Sequence, residues 1–599
     1  MKRILLSLLL IALAGPLAAQ TERKIVILHT NDLHSRLNGF TPEADYSPST
    51  TGDDKTRGGF ARIASILRSE KRNNPDITLS VDAGDFLMGT LFQSLELKYG
   101  FQLRLMKQMG YDVVCLGNHE FDYGPAKIAG TINSSIGKGE IPALLLSNAV
   151  TDTQDAGDDE LEKLYDSGVV RRKLIIERDG LKIGFFSLLG KDAVDVAPLA
   201  LPLTFAKQTS FARKMARELN RDGCDIVICV SHSGVSKDKK GKWTGEDVRL
   251  AKKVRGIDAI ISGHSHSAIN EPLIVKGIPI VQTGEYGQNV GRLELIYERG
   301  KTKFAGSMLI PVDDSIAGEY DVIEAVLAQQ LLVTDEILAP LGLNYSVPVA
   351  ETDFLLECNE QGDFHSSNLG PMIADAIHGY VNRHSSAGCD IAMVAVGVIR
   401  DRMVPGMMTA PDIFRIMSLG SGNDEVPGYP LSRLFVTGKE LKNILEILLI
   451  AHKSSPSNHC FYSGLRVKYD PERGLLRRIN SIEIIGRDGA AKYVSFSGDD
   501  GTLYSISANS YMLEFIGIIK KMSLGLIRVV PKDISGNPVV DMKSAVIDMN
   551  EEQQGIQEGK EWLALLEYIS SMKDVDNDSI PEIDRKYSAA VRTFFEEDR

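Results

Sequence analysis

The chain has 599 residues, more than a single hydrophobic core usually supports, so two or three domains are expected. Hydrophobic residues make up 43% and charged residues 25%, values typical of globular proteins and against extensive disorder. The formal net charge of −13 excludes a general basic surface for nucleic acid, so a bound phosphate must meet metal ions or a few arginines.

The N-terminus has the pattern of a secretory signal peptide. Lys2 and Arg3 precede an apolar run over residues 4–14, which is too short to span a membrane. Pro16, Ala18 and Ala19 predict cleavage after Ala19, so that residues 1–19 are removed. No later stretch reaches the length of a membrane span. Because of the signal peptide, we expect an exported protein, periplasmic or secreted.

The N-terminal half alternates strand and helix patterns, and we expect it to form one layered α/β domain over residues 20–312. Residues 60–67 repeat apolar side chains at helical spacing. Residues 151–166 are acidic and polar and predict a surface loop. Short apolar runs predict strands at residues 24–28, 77–81, 112–116, 182–189, 225–230 and 258–261.

The C-terminal half begins with a predicted linker. Residues 319–338 read as one long helix inside a linker of residues 313–343, and Pro340 and Gly342 end that helix. A second, smaller α/β domain is expected over residues 344–548. Residues 549–599 predict one amphipathic helix at 558–572 and an acidic tail, in which the alternating acids of residues 574–578 resemble a calcium loop without its glycine and closing glutamate.

Six cysteines leave the disulfide question open. Cys115, Cys224 and Cys229 lie in apolar runs and are expected to be buried thiols. Cys358, Cys389 and Cys460 are candidates for a bridge whose connectivity the sequence does not assign.

Five predicted strands of the first domain end in residues that commonly bind metals. Because open α/β sheets bind ligands at the carboxyl ends of their strands, we expect these residues to meet in one crevice. The candidate ligands are Asp32, His34, Asp85, Asn118, His232, His264 and His266.

Imidazole, carboxylate and amide groups suit zinc, manganese or iron. Seven ligands are too many for one ion and fit two ions that share a bridging carboxylate. Such a pair clamps a phosphate, lowers the pKa of a bridging water and stabilises both the attacking and the leaving oxygens. Any one of the motifs alone is more typical of a cap, a turn or a hydrogen-bonded histidine. Five of them in order predict a two-metal site.

The order Asp-x-His, Gly-Asp, Gly-Asn-His-Glu, His, Gly-His-x-His resembles that of the calcineurin-like metallophosphoesterases. The longer strings at residues 27–34 and 116–122 resemble the exported 5′-nucleotidase and UDP-sugar hydrolase branch. The resemblance implies a four-layer α/β-β-α catalytic domain with a di-metal site, followed by a smaller α/β domain of the 5′-nucleotidase type.

The same resemblance implies a role for each residue. It places Asp32, His34 and His266 on one metal ion, Asp85 between the two ions, and Asn118, His232 and His264 on the other ion. It also implies that His119 and Asp122 stabilise the phosphoryl transition state, whereas the plain alternative for Asp122 is a helix N-cap.

In the second domain, Arg400 matches a family arginine that binds the substrate phosphate, and a surface ion pair is its alternative. Phe461 resembles one of two aromatic residues that sandwich the base, and a core phenylalanine is its alternative. Two family segments depart here: residues 395–398 lack the expected Asn-Gly-Gly-Gly, and residues 507–512 replace a glycine-rich loop, with Tyr511 or Phe515 as candidates for the second aromatic.

These observations predict an exported two-metal phosphoesterase that hydrolyses phosphate monoesters, with 5′-nucleotides as the expected substrates. The alternatives are a cyclic-nucleotide or UDP-sugar diester hydrolase, a phosphatase for non-nucleotide esters, and a non-catalytic binding protein on the same scaffold. A small phosphate ester is the expected partner, without nucleic acid or a membrane span. The sequence does not predict the oligomeric state.

Overall fold

A computed structural model of the protein describes residues 22–40, 42–74, 77–358, 367–454, 459–486, 489–497, 501–513, 529–589 and 595–597. The predicted signal peptide, with its cleavage point after Ala19, and the candidate aromatic residue Phe515 lie outside the described residues.

The chain divides into two compact units, as a chain of this length was expected to. The first unit contains most of residues 22–326, and the second contains most of the chain from Leu327 onward. Two short stretches of the N-terminal half, Phe40–Tyr46 and Gly89–Ser94, belong to the second unit. The boundary near residue 326 falls inside the predicted linker helix.

The first unit contains thirteen strands that build two large sheets in the described chain. Each predicted strand is present, with ends shifted by one or two residues. In chain order the strands are β1 (Arg23–Thr30), β2 (Thr78–Asp82), β3 (Val113–Cys115), β4 (Ala143–Leu145), β5 (Val170–Arg171), β6 (Leu174–Arg178), β7 (Leu181–Leu189), β8 (Ile226–His232), β9 (Ala259–Ser262), β10 (Leu273–Val275), β11 (Ile278–Val281), β12 (Asn289–Glu298) and β13 (Lys301–Pro311).

The seven-stranded sheet has the order β13-β12-β1-β2-β3-β4-β5, and the six-stranded sheet has the order β10-β11-β9-β8-β7-β6. Strands β1 to β5 run parallel, as do β7, β8, β9 and β11. Parallel neighbours end at the same edge of their sheet. The residues that follow β1, β2 and β3 therefore lie side by side, and so do those that follow β8 and β9.

The main core of this unit lies between the two sheets. Ile27 and Val81 of the first sheet and Phe185 and Ile228 of the second are fully buried there. Burying each such side chain contributes about 1.5–3 kcal/mol, so the apolar strands favour the face-to-face arrangement. This finding confirms the predicted sandwich of sheets.

Helices cover the outer faces of the sheets and complete the layers. The helices of the first unit are α1 (Phe60–Asn73), α2 (Glu96–Tyr99), α3 (Phe101–Met109), α4 (Pro125–Ile136), α5 (Asp159–Asp166), α6 (Lys191–Asp195), α7 (Gln208–Arg221) and α8 (Glu246–Lys253). Met215 and Leu219 of α7 and Val248 of α8 pack with Val227 and Cys229 in a second buried cluster.

The predicted surface loop over residues 151–166 is wrong in its second half, which forms α5. Leu161 and Leu164 lie three residues apart and are buried, and α5 packs against α4. The side chain of Asp158 accepts a hydrogen bond from the backbone N–H of Asp152 and closes the preceding turn. Two buried leucines on one face are enough to hold a short helix whose other positions are charged.

The helix α9 (Tyr320–Val333) continues as a π-helix, Thr334–Leu338, which confirms the helix predicted at residues 319–338. It ends at Gly342, whose φ of 74° lies in the left-handed region that favours glycine. The tail helix is shorter than predicted, Glu561–Ser570 instead of residues 558–572. It begins after Lys560, which is buried and paired with Asp424 and Glu558.

The second unit contains ten strands and four helices in its described part. One sheet has the order β17-β22-β15-β18, another the order β21-β20-β19-β23, and β14 pairs with β16. The strands are β14 (Pro348–Thr352), β15 (Ile391–Ala395), β16 (Gly406–Thr409), β17 (Leu431–Thr437), β18 (Cys460–Ser463), β19 (Leu465–Tyr469), β20 (Ile479–Ile485), β21 (Ala491–Tyr493), β22 (Leu503–Asn509) and β23 (Phe595–Glu597). The helices are α10 (Leu369–His384), α11 (Ala410–Ile416), α12 (Gly438–Ser454) and α13 (Glu561–Ser570).

Cys115, Cys224 and Cys229 are buried thiols, as expected. The bridge considered among Cys358, Cys389 and Cys460 is wrong, because all three are thiols as well. Cys389 contacts Asn382 instead of another cysteine, and Cys460 is buried at the start of β18. Across the described chain, no helix combines the length and apolarity that crossing a bilayer requires.

Candidate metal centre

The candidate ligands follow the carboxyl ends of five strands, three in one sheet and two in the other. Asp32 and His34 follow β1, Asp85 follows β2 and Asn118 follows β3. His232 is the last residue of β8, and His264 and His266 follow β9. All seven side chains lie in the first unit, and the structure brings them into two adjacent groups.

The first group consists of Asp32, His34 and His266, whose ligand atoms lie within 4.8 Å of one another. The Nε2 nitrogens of His34 and His266 are 3.2 Å apart, and His266 Nε2 lies 3.4 Å from Asp32 Oδ1. Two imidazole nitrogens and a carboxylate oxygen thus point to one position, as the ligands of a divalent ion must.

The second group consists of Asp85, His232 and His264, joined by Asn118. His232 Nε2 lies 2.9 Å from Asp85 Oδ2 and 3.1 Å from Asn118 Oδ1. The same amide oxygen lies 3.0 Å from His264 Nδ1. This group therefore offers two nitrogens and two oxygens.

Asp32 links the two groups. Its Oδ1 lies 4.0 Å from His232 Nε2 of the second group, and its Oδ2 accepts the backbone N–H of His264 at 3.0 Å. Asp85 Oδ1 accepts the backbone N–H of His119 at 2.9 Å. A bridging role for Asp85 stays a prediction, but the spacing places the two groups as near as a pair of ions a few ångströms apart requires.

The backbone at the ligands is strained. Five of the seven candidates have a positive φ: Asp32 (53°), His34 (50°), Asp85 (56°), His264 (75°) and His266 (50°). Residues other than glycine adopt this region at a cost of about 1–3 kcal/mol each. Strain concentrated on these residues indicates that the fold holds them for their chemistry rather than for its own stability.

The electrostatics at two of the ligand histidines favour added positive charge. Burial alone would lower the pKa of His232, but the charge of Asp85 outweighs it and raises the value to about 10. In the same way Asp32 and Glu285 overcome the effect of burial on His266 and raise its pKa to about 10. Burial also acts on Asp85, yet the nearby His232 holds its pKa well below the usual range.

This donor set fits two divalent ions of the zinc, manganese or iron type. The groups combine imidazole nitrogens with carboxylate and amide oxygens, which suit those metals better than calcium or copper(I). The first group would hold one ion and the second group, with Asn118, the other.

His119 and Asp122 form a pair beside the ligands. His119 Nδ1 lies 2.6 Å from Asp122 Oδ2, and the His119 ring meets the edge of the His34 ring with centroids 5.1 Å apart. Both side chains are largely buried. The contact engages Nδ1 and fixes the orientation of the ring. For Asp122 this geometry favours the orienting role over a helix N-cap.

Two side chains that support the ligands, Glu120 and Asn31, were not among the predicted site residues. The Glu120 carboxylate accepts backbone N–H groups of Asp85 and Leu87 at 3.0 Å each, and it also binds the N–H of Gly117. The side-chain carbonyl oxygen of Asn31 accepts the backbone N–H of Thr283 at 2.8 Å. Both residues lie inside the motifs, which was their only signal in the sequence.

In the second unit, Arg400 lies beyond the end of β15, and Phe461 lies in the neighbouring strand β18. Arg400 follows the short 3-10 helix Val396–Val398 after β15, is half-buried, and donates its backbone N–H to Ile416 O at 2.8 Å. Phe461 is only 2% exposed, and its ring lies directly over Gly370. This burial favours the core role of Phe461 over the base-stacking role.

One edge of the sheet β17-β22-β15-β18 gathers other aromatic side chains. Strands β15 and β22 are parallel, and β17 and β18 run against them, so Tyr429, His459 and Tyr511 all lie at the edge where β15 ends. The rings of Tyr429 and Tyr511 are stacked, with centroids 5.4 Å apart and an interplanar angle of 12°. The Met512 sulfur contacts the backbone N–H of Ala395 at 3.1 Å and ties this edge to the segment that carries Arg400.

Comparison with known proteins agrees with this architecture. The family profile described as "Calcineurin-like phosphoesterase" matches residues 25–268, and the profile "5'-nucleotidase, C-terminal domain" matches residues 348–515. Together the two profiles match more than half of the chain.

The chain is similar to a snake venom 5'-nucleotidase of Gloydius brevicauda, at 26% identity over 77% of this chain and 76% of the other. It is similar to an apyrase of Aedes albopictus, at 25% identity over 82% and 84%. Among solved structures it resembles a 5'-nucleotidase precursor from Thermus thermophilus, with a TM-score of 0.67, 19% identity and coverage of 96% and 99%. The likeness to this solved structure shows a similar fold.

Two sheets packed face to face carry a paired set of histidine and carboxylate ligands, and the two family profiles match the two units in the same order along the chain. The chain therefore belongs to the calcineurin-like metallophosphoesterases that carry a 5'-nucleotidase C-terminal domain, the 5'-nucleotidase/apyrase family of hydrolases.

Proposed function

We propose that this protein hydrolyses phosphate monoesters with two divalent ions, that 5′-nucleotides are its substrates, and that it acts after export from the cytoplasm. The observation that carries the proposal is the pair of adjacent ligand groups with His119 beside them. The similarity to proteins named 5'-nucleotidase and apyrase, over about three quarters or more of each chain, supports the choice of substrate class.

Two divalent ions, when bound, supply positive charge for the phosphate oxygens and make water a nucleophile near neutral pH. The protein contributes the remaining electrostatics. Asp122 orients the His119 imidazole and favours its cationic form, and the cation stabilises the negative charge that builds on the phosphoryl oxygens. The pair thus acts on the transition state more than on the bound ester.

We assign recognition of the nucleoside to the aromatic edge of the second unit. Tyr429 and Tyr511 present stacked rings there, and base–aromatic stacking contributes about 1–3 kcal/mol per base. Arg400 lies on the segment that follows β15 at the same edge, where a guanidinium can bind a phosphate with two hydrogen bonds. Tyr429 and Tyr511 replace Phe461 as our candidates for base stacking.

The metal content of the full chain tests the two-ion proposal. After chelation and reloading with Mn²⁺, we expect two ions per wild-type chain. Asn118→Ala removes an oxygen shared by His232 and His264 and should lower the occupancy to about one ion. Asn133→Ala, on the exposed face of α4, is the matched control and should retain two ions. At most one ion in the wild type would contradict the proposal.

A substrate panel with phosphate readout tests the activity. We expect release of phosphate from AMP with a higher kcat/KM than from 4-nitrophenyl phosphate, a cyclic nucleotide or UDP-glucose. His119→Ala should lower kcat by about 10²–10⁴, whereas His384→Ala, an exposed residue paired with Glu567, should not. Equal rates on AMP and the aryl phosphate would remove the nucleotide assignment and leave the phosphatase.

Expression of the full chain tests export. We expect the protein in the periplasm or the medium with Gln20 as its first residue. Recovery of the chain from the cytoplasm with its N-terminus intact would contradict this part of the proposal.

A further inference from the structure

His266 is held from its far side by a carboxylate that no motif contains. Its Nε2 faces Asp32 and His34, and its Nδ1 donates a hydrogen bond to Oε2 of Glu285. Glu285 therefore engages the nitrogen that the ligand group does not use.

Two other ligand histidines are held differently. His34 Nδ1 lies 3.1 Å from the carbonyl oxygen of Met88, and His232 Nδ1 lies 2.8 Å from that of Ala83. A carbonyl fixes the ring orientation but carries no charge, whereas a carboxylate also increases the basicity of the opposite nitrogen. His266 thus contacts a charged group on its far side, where these two histidines contact a carbonyl oxygen.

The turn that carries Glu285 is built onto the end of β1. Thr283 N–H and the Gly284 carbonyl bind the side chain of Asn31, at 2.8 and 2.6 Å, and Tyr286 N–H donates to the Asp32 carbonyl at 2.7 Å. The same backbone that presents Asp32 therefore also fixes Glu285. The Tyr286 ring adds edge contacts to His34 and His266, with centroids 5.6 and 5.8 Å away.

We propose that Glu285 is a positioning residue that strengthens ion binding by the first group and leaves the second group unaffected. It keeps the proton of His266 on Nδ1 and directs the Nε2 lone pair to the position shared with Asp32 and His34. The inference rests on the proposed two-ion site. Because the Glu285 side chain is about one-third exposed, replacing it should leave the fold intact.

Equilibrium dialysis of the full chain against Mn²⁺ alone tests this role. We expect two ions per wild-type chain, and in Glu285→Gln one of the two affinities weakened by about 10–100-fold while the other changes less than twofold. Glu285→Ala should weaken the same ion at least as much, and Glu285→Asp should weaken it less. Glu271→Gln, an exposed acid in the same unit, is the control and should bind like the wild type.

Unchanged affinities in both Glu285→Gln and Glu285→Ala would overturn the inference, as would equal weakening of both ions. If Glu285→Ala does not fold, the expected ranking of Mn²⁺ affinities, with the wild type above Glu285→Asp and Glu285→Asp above Glu285→Gln, still decides. Fewer than two ions in the wild type would count against the two-ion proposal itself, so the two failures are distinguishable.

Discussion

The Nδ1 nitrogen of His119 lies 2.6 Å from the Oδ2 oxygen of Asp122, across the single turn of 3-10 helix His119–Phe121 that follows β3. The carboxylate fixes the imidazole at the edge of the His34 ring, next to the first ligand group. An acid three residues from a histidine can thus orient the imidazole toward a substrate without binding an ion itself.

Replacing Asp122 tests that relationship. Asp122→Asn keeps a hydrogen-bond partner for Nδ1 but removes the charge that favours the imidazolium, and we expect kcat to fall by about 10–100-fold with KM little changed. The metal content should stay at the wild-type value, because Asp122 is not in either ligand group. Steady-state kinetics with metal analysis of the same samples measures both, and a loss of metal would show that Asp122 has another role.

Gly117 is a close-packing position in the site. A Cβ atom there would overlap Asp85 Oδ1 and would lie 2.6 Å from the Asp85 backbone nitrogen. We therefore expect Gly117→Ala to displace Asp85, to cost about 1–3 kcal/mol in the free energy of unfolding, and to reduce activity strongly. Gly306→Ala, where nothing lies within 4 Å of the new atom, is the matched control. Chemical denaturation and phosphate release measure the two effects, and wild-type values for Gly117→Ala would refute the prediction.

Glu561 predicts a pH dependence of stability. Burial at the start of α13 raises its pKa from 4.5 to about 8, against the opposing hydrogen bonds from Asn509. The folded protein keeps a proton on Glu561 that the unfolded chain releases above about pH 4.5. The contribution of Glu561 to the free energy of unfolding is therefore complete below pH 4.5 and declines until about pH 8.

Glu561→Gln should therefore unfold at a higher denaturant concentration than the wild type at about pH 9 and at about the same concentration at about pH 4.5. Urea unfolding at the two pH values measures this difference, with the exposed residue change Glu552→Gln as the control. If Glu561→Gln loses as much stability between the two pH values as the wild type does, the raised pKa of Glu561 would be contradicted.

Substitutions of Phe461 distinguish a role in the core from a role in substrate binding. Because its ring is buried over Gly370, we expect Phe461→Ala to cost about 3–5 kcal/mol in the free energy of unfolding. The milder Phe461→Leu should leave the KM for AMP unchanged. A raised KM in Phe461→Leu at wild-type stability would instead restore the base-stacking role. Thermal unfolding and steady-state kinetics on the same preparation decide between them.

Much of the fold and of the ligand set was accessible from local sequence. Apolar runs predicted the strands because residues buried on both faces of a sheet leave a continuous pattern. Asp32, His34 and Asn118 were recognisable because each directly follows such a run, and parallel strands end at a common edge. The helix α5 was missed because only two buried leucines mark it among acidic residues.

Local sequence is enough to show which residue types stand at the strand ends, and therefore the kind of chemistry. Only the folded chain shows that Phe461 is buried and that Glu285 reaches His266. The physical reason is that strand patterns follow from the burial of nearby residues. A contact between a turn after β11 and a ligand after β9 depends instead on packing between distant segments, which leaves no periodic trace in the chain.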